Sequence, residues 1–176
     1  LFYSSKNSQP ISYSGVESIT IELTKYNDAF SVEGTVIPSS VYGGDGNDTL
    51  TIGSSTATSL LALQQSVTIS GASIVATQNE NSNDNLIVEE SGYSGKSDWM
   101  LNSTAFVPKH LSKNFIILYK FFQNMNIHLG SSTDYIVVEG SNLGTTNIDL
   151  GYGNDKTIIR VIQGVVTILG GKGEDI

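Results

Sequence analysis

The chain has 176 residues, of which 15% are charged, and its nine Lys and Arg residues leave a formal net charge of −8. A chain of that sign repels a phosphate backbone, so the composition excludes nucleic acid as a partner. The absence of cysteine excludes both a disulfide framework and a thiolate metal site.

Glycine is plentiful at 18 residues, and Asn, Ser and Thr are also abundant. This mixture is typical of short strands joined by tight turns, and it disfavours helices or a disordered tail. The longest apolar run, 115–122, includes Lys120 and is far shorter than the roughly 20 residues that cross a bilayer. No membrane span is therefore predicted in this segment.

One short phrase recurs along the chain: an Asp, a free position, an apolar residue, a free position and another apolar residue. Successive aspartates are separated by 20, 36, 50, 21 and 20 residues. A period near 20 that persists through long interruptions is typical of a solenoid, in which each repeat is one rung stacked on its neighbours. The phrase begins at Asp28, Asp48, Asp84, Asp134 and Asp155, and the sequence ends just after a sixth start at Asp175.

Each aspartate follows an earlier short strand whose apolar residue lies seven positions upstream, as at Ile21 and Ile148. A rung therefore has a strand, a turn of four or five residues that ends in Asp, and a second strand. Alternation with a period of two places one face of each strand inward. The sequence predicts an all-β parallel solenoid whose aspartates share one corner and whose inward columns contain Phe30/Val32, Leu50/Ile52, Leu86/Val88 and Ile136/Val138.

The rung pattern lapses between the segments 1–88 and 121–176, which divides the chain into two runs of rungs and an insertion at 89–120. We interpret Ser97 to Val107 as a hairpin or flap on the side of the solenoid, and Phe115 to Tyr119 as a return to the stack. A short helix from Leu111 to Phe122 is the alternative, but the β-branched and aromatic content favours a strand. Both ends fall within a repeat, so a segment of a longer chain is expected.

The turns also carry a pattern, because glycines precede the aspartate in 43–48, 150–155 and 169–175. Glycine adopts positive φ without steric cost, and the Asp side chain can accept hydrogen bonds from turn amides. The stretch from Gly43 to Thr51 contains the full unit Gly-Gly-x-Gly-x-Asp-x-apolar-x, and Gly170 to Ile176 matches it as far as the sequence goes.

These turns resemble the haemolysin-type (RTX) repeats, and the longer block is similar to repeats of very large secreted or surface-attached, adhesin-like proteins. The resemblance implies a right-handed parallel β-roll or β-helix that holds Ca²⁺ between the turns of adjacent rungs, since Ca²⁺ takes six to eight oxygen ligands. Carried over to this sequence, the candidate metal-binding residues are Gly43, Gly46, Asp48, Gly151, Gly153, Asp155, Gly170, Gly173 and Asp175.

The chain also departs from that family. It has one glycine turn per coil of about 20 residues where the family has two. The turns 24–28 and 131–134 contain no glycine, and Lys25 and Lys172 place cations in would-be ligand loops. The alternative is that Asp and Asn side chains form hydrogen-bonded turn ladders without a metal.

No residue set predicts catalysis, so we expect a non-enzymatic structural or adhesive segment of an extracellular or cell-surface protein, such as a stalk, filament or coat. Its expected partners are neighbouring repeats or copies of itself end to end. The alternative function is a carbohydrate-binding or polysaccharide-modifying module that contacts extracellular polysaccharide. Asn47 and Asn102 each begin an Asn-x-Thr triplet and are candidate glycosylation sites.

Overall fold

A computed structural model describes residues 2–4, 13–56, 59–76, 82–109 and 115–176 of the chain. Within these residues the protein is all-β, with fifteen short strands and a single turn of 3₁₀ helix at Ser59–Ala62. No helix in the described segments has the length and apolar character to cross a membrane. The strands are β1 Phe2–Ser4, β2 Ile19–Glu22, β3 Ala29–Val32, β4 Ser39–Tyr42, β5 Thr49–Gly53, β6 Val67–Ser70, β7 Asn85–Glu89, β8 Asp98–Leu101, β9 Ala105–Pro108, β10 Ile117–Lys120, β11 Asn124–His128, β12 Tyr135–Val138, β13 Thr145–Asp149, β14 Lys156–Ile159 and β15 Val165–Leu169.

The strands form two sheets between which the chain passes repeatedly. Sheet A has the order β1-β3-β5-β7-β11-β13-β15, and sheet B has the order β14-β12-β8-β9-β10-β6-β4-β2. Pairing is parallel except where β1 joins β3 and where β9 joins β8 and β10. The prediction of an all-β fold is thus confirmed, with sheets that are largely parallel but mixed. We call one strand of sheet B followed by one strand of sheet A, or the reverse, a winding.

The core lies between the two sheets, where alternate residues of most strands are buried. In sheet A the inward columns include Phe30, Leu50 and Leu86 in register, and β11 continues them with the buried Met125. The eight residues predicted to face inward are all buried. Ile136 and Val138, however, belong to β12 in sheet B, so they do not extend the columns of the other six.

The insertion contributes strands to sheet B itself. β8 and β9 pair as an antiparallel hairpin, and β10 pairs in parallel with β6, so the residues near 117–120 form a strand and not a helix. The hairpin lies within the sheet because its inward side chains are large and apolar: Trp99 stacks on Phe106 with ring centroids 4.2 Å apart. Sheet B therefore holds two strands, β8 and β9, that have no counterpart between β7 and β11 in sheet A.

The strands that follow the repeated aspartates change sheets along the chain. β3, β5 and β7, which follow Asp28, Asp48 and Asp84, belong to sheet A, whereas β12 and β14, which follow Asp134 and Asp155, belong to sheet B. The change occurs at β11, which ends one run of windings and begins the next. The expectation of one shared corner for all the aspartates is therefore wrong.

Candidate functional site

Three aspartates and a glutamine form a ladder at the corner where the chain passes from sheet B to sheet A. The backbone N–H of Asp28 donates to Asp48 Oδ1 at 2.8 Å, and the N–H of Asp48 donates to Asp84 Oδ1 at 2.8 Å. The N–H of Asp84 donates in turn to Gln123 Oε1 at 2.6 Å. Each side chain thus accepts the amide of the equivalent residue one winding earlier, which satisfies a turn donor that would otherwise lack a partner.

A second ladder with the same chemistry runs along the opposite corner, where the chain passes from sheet A to sheet B. The N–H of Ser97 donates to Asp134 Oδ1 at 2.8 Å, and the N–H of Asp134 donates to Asp155 Oδ1 at 2.8 Å. The N–H of Asp155 then donates to Asp175 Oδ1 at 3.0 Å. We call the two sets the first ladder (Asp28, Asp48, Asp84, Gln123) and the second ladder (Ser97, Asp134, Asp155, Asp175).

The residue just before the aspartate makes a bond in the opposite direction. The N–H of Asn47 donates to Asn27 Oδ1 at 2.9 Å, and the N–H of Asn83 donates to Asn47 Oδ1 at 2.8 Å. In the second ladder, the N–H of Glu174 donates to Asn154 Oδ1 at 3.0 Å. Successive turns are therefore joined in both directions, and this pairing accounts for the Asn-Asp dipeptides that recur in the sequence.

The turn glycines make room for the aspartate side chains. A Cβ at Gly43 would lie 2.4 Å from Asp48 Oδ2, and a Cβ at Gly170 would lie 2.5 Å from Asp175 Oδ2. Because such distances are far shorter than any nonbonded contact, only glycine fits at these two positions while the carboxylate is turned inward. The Gly-Gly pattern of the sequence is thus explained by packing against the ladder.

Burial changes the electrostatics of the ladder carboxylates. Desolvation raises the pKa of Asp48 to about 6, with a further contribution from the neighbouring charge of Asp84. Desolvation likewise raises the pKa of Asp134 to about 6, and it raises the pKa of both Asp84 and Asp155. The second carboxylate oxygens of Asp48 and Asp155 are buried and have no hydrogen-bond partner among the residues that the structure describes, which disfavours their charged form.

Glu90 is a further buried acid, in the connection between β7 and β8. Its Oε2 accepts hydrogen bonds from Trp99 Nε1 at 2.7 Å and from Ser97 Oγ at 3.0 Å. Desolvation raises the pKa of Glu90 to about 7, although both hydrogen bonds oppose the shift. Glu90 thus links the hairpin of the insertion to the start of the second ladder.

These shifts predict that the protein is more stable in mild acid than in mild base. Glu90, Asp48 and Asp134 bind protons more tightly when folded, so the free energy of unfolding falls as pH rises from about 4 to about 7. Glu89 acts in the opposite sense: desolvation would raise its pKa, but hydrogen bonds to Ser91 and His128 lower it. It is a single group, whereas three acids shift the pH dependence of stability the other way. We expect a higher urea midpoint at pH 5 than at pH 8.

The substitution Glu90→Gln should flatten that pH profile, because it removes the most strongly shifted group and keeps an acceptor for Trp99 and Ser97. Glu17→Gln, at an exposed position, is the matched control and should leave the profile unchanged. Stability that rises steadily from pH 5 to pH 8 would contradict this electrostatic description.

The sequence did not predict the roles of three residues in the ladders and the core. Gln123 and Ser97 begin the same phrase as the aspartates, in Gln-Asn-Met-Asn-Ile and Ser-Asp-Trp-Met-Leu, and a search that allowed other residues at the first position would find them. Glu90 gives no such signal, because an acid after a strand usually lies in solvent.

The outward face of sheet A presents a row of polar side chains across β7, β11 and β13. Asn126 Nδ2 donates to Asn85 Oδ1 at 2.7 Å, and Asn147 Nδ2 donates to Asn126 Oδ1 at 2.9 Å. Beside them, His128 Nδ1 lies 2.9 Å from Glu89 Oε2. These contacts link adjacent strands and strengthen the stacking of windings.

The candidate metal-binding residues fall at the two corners. The turn that ends at Asp48 of the first ladder contains Gly43 and Gly46. The remaining six candidates lie in the two stacked turns that end at Asp155 and Asp175 of the second ladder, where Lys172 N donates to the Gly151 carbonyl at 3.1 Å. Positive φ occurs at four of the nine, Gly46, Gly151, Gly153 and Gly173.

A Ca²⁺ ion would need six to eight oxygens from these turns. In the ladder carboxylates, Oδ1 already accepts a hydrogen bond from a backbone amide. The described residues contain no group of three or more His, Asp or Glu side chains arranged to hold a metal. The hydrogen-bonded ladder is thus present in the structure, and Ca²⁺ binding stays a prediction.

The candidate glycosylation sites differ in their surroundings. Asn102 lies in the turn between β8 and β9, where its Oδ1 accepts the N–H of Thr104 at 2.9 Å and Thr104 itself is exposed. Asn47 is engaged in the ladder of turn amides on both its backbone and its side chain. Both side-chain oxygens are engaged, but Asn47 is exposed and Asn102 is half-buried, so Asn47 is the more accessible of the two predicted acceptors.

Comparison with protein-family models, with curated proteins and with solved structures finds no match to this chain.

Proposed function

We propose that the chain is a β-solenoid with windings of about 20 residues, and that it serves as a structural or adhesive segment of a large extracellular or cell-surface protein. The observation that supports this most is the pair of ladders, in which each turn is bonded to the next by side chain and backbone. A segment built this way transmits load from winding to winding and gains about 4.8 Å of length with each one.

Both ends of the described structure present strand edges, β2 of sheet B at one end and β14 and β15 at the other, which supports further stacking on either side. At the N-terminal end, β1 covers the edge of sheet A by antiparallel pairing with β3. At the C-terminal end, the inward Val166 and Ile168 of β15 are only partly buried, and Ile159 of β14 is 44% exposed. Uncovered strand edges of this kind pair readily with a further winding or with another copy.

Electron microscopy of the parent protein, isolated from its natural source, tests the proposal. We expect a rod or filament of constant width, with surface labelling by an antibody raised against this segment. A compact particle labelled only inside the cell would contradict both the structural role and the extracellular location.

Ca²⁺ dependence is a separate question within the same proposal. Because the ladder carboxylates are bonded to amides, we expect the thermal midpoint to be the same in excess EDTA and in millimolar Ca²⁺. A midpoint that rises by several degrees with Ca²⁺ but not with Mg²⁺ would instead assign the ion to these turns, since a ligand that binds only the folded state stabilises it by mass action.

A further inference from the structure

A cleft of about 390 Å³ opens where four connections meet beside the core. Its walls come from the turn between β8 and β9 and from the connections between β10 and β11, between β12 and β13, and between β14 and β15, the last of which contributes Gln163. A volume of this size lies within the range of small-ligand pockets. Neither ladder contributes a side chain to it, so the cleft is separate from the site described above.

Phe121 has an unusual backbone in this cleft. Its φ is 60°, and it is the one non-glycine residue with positive φ in the described ranges. The left-handed conformation lets three residues make the passage from sheet B to sheet A that takes six residues at 43–48. Glycine or asparagine adopts this conformation with less strain than a bulky aromatic residue. We therefore infer that the aromatic ring of Phe121 has a role that offsets the strain of its backbone conformation.

The ring of Phe121 lines the cleft together with Leu143, which is 83% exposed. Lys120 Nζ lies 5.0 Å from the centroid of the Phe121 ring and 5.6 Å from that of Tyr42, within cation–π range of both rings. This contact favours a position of the Phe121 ring beside Lys120, which also lines the cleft. Apolar surface is thus displayed on two sides of the opening.

The polar part of the lining consists of hydroxyl and amide groups. Ser103 and Thr104 are exposed on one wall, and Gln163 is exposed on another. No acidic side chain belongs to the described lining, and Lys120 is its one charged group. An aromatic ring flanked by hydroxyl and amide groups suits a sugar, because a sugar ring has an apolar C–H face and hydroxyls around its rim.

The walls are already fixed by hydrogen bonds within the protein. Thr104 is held by Asn102 Oδ1, and the Asn102 carbonyl accepts a hydrogen bond from the Tyr119 hydroxyl. On the other side, Asn142 is buried, accepts Thr146 Oγ1 at 2.7 Å and donates to the Phe122 carbonyl at 3.3 Å. A site whose walls are ordered before binding loses little entropy when it takes a ligand.

We propose that this cleft binds one unit of a neutral glycan, with Phe121 as the aromatic platform and Gln163, Ser103 and Thr104 as hydrogen-bonding partners. The proposal does not depend on the structural role argued above, because a rigid segment could exist with or without such a cleft.

The test uses protein produced without glycosylation and a panel of cellotetraose, maltotetraose and chitotetraose, with affinity measured by calorimetry up to millimolar sugar. Wild type should bind at least one member, and Phe121→Gly and Phe121→Asn should each weaken that binding at least tenfold. Neither variant should lower the thermal midpoint, because both residues suit a positive φ. Leu169→Ala, at an exposed position on β15, is the control and should bind like wild type.

The opposite results would overturn the proposal. These are a panel that fails to bind wild type, binding that survives both substitutions, or a thermal midpoint that falls in both variants, which would show that the ring only supports the fold. Binding of an aliphatic peptide in place of the sugars would assign the cleft to a protein partner and would equally contradict a glycan site.

Discussion

Replacing Asp48 with alanine is expected to destabilise the protein by about 2 kcal/mol, whereas replacing it with asparagine is expected to cost nothing at pH 8. Asp48→Ala removes the acceptor of the Asp28 amide and leaves that donor without a partner in the turn. Asp48→Asn keeps an oxygen at the Oδ1 position and removes a charge that burial disfavours. The predicted order of stability at pH 8 is therefore Asn at or above Asp, and both above Ala.

Urea unfolding of the three proteins, followed by circular dichroism, measures this order. Asp45 supplies the matched control, since it lies in the same turn but is exposed. Asp45→Ala should change the free energy of unfolding by less than about 0.5 kcal/mol. If Asp48→Ala were as stable as wild type, the hydrogen bonds of the ladder would contribute nothing to the fold.

The largest loss is expected from Trp99→Ala, at about 3–5 kcal/mol. Trp99 is fully buried, stacks on Phe106 and donates its Nε1–H to Glu90. The truncation would leave a cavity where β8 meets β9 and would also remove one of the donors that hold the buried Glu90 carboxyl. Because whole domains are stable by only about 5–15 kcal/mol, this variant should be close to unfolded at 37 °C.

Trp99→Phe separates the two contributions of the side chain. It keeps a ring against Phe106 but lacks the indole donor, so its loss should be intermediate and smaller at pH 5, where Glu90 carries a proton. Trp99 is the single tryptophan of the chain, so unfolding has to be followed by circular dichroism and not by its fluorescence. A loss below about 1 kcal/mol for Trp99→Ala would show that the hairpin is not part of the core.

The period of the aspartates predicted much of the architecture because turn chemistry and strand alternation are both local. Each phrase specifies a bend and two inward residues, and Phe30, Leu50 and Leu86 are buried in register as expected. The same phrase predicted the carboxylate-to-amide ladder as an alternative to a metal.

The exchange of corners could not be predicted, because it depends on long-range pairing. Nothing in the phrase distinguishes Asp84, whose strand lies in sheet A, from Asp134, whose strand lies in sheet B. The position of the hairpin within sheet B depends on the burial of Trp99 and Phe106 against residues that are distant in sequence. The Phe121 cleft could not be predicted for a similar reason, since its walls come from four connections that are far apart in sequence.

Cross-linking in this cysteine-free chain tests the arrangement most directly. Ile87 and Asn126 are register partners in β7 and β11 of sheet A. Parallel neighbours are about 4.8 Å apart, within reach of a disulfide. We expect Ile87→Cys/Asn126→Cys to oxidise readily to an intramolecular disulfide and Thr68→Cys/Asn126→Cys, which would join β6 in sheet B to β11, to remain reduced. The reverse result would place β11 in sheet B and return all the aspartates to a single corner, in contradiction to the two ladders described here.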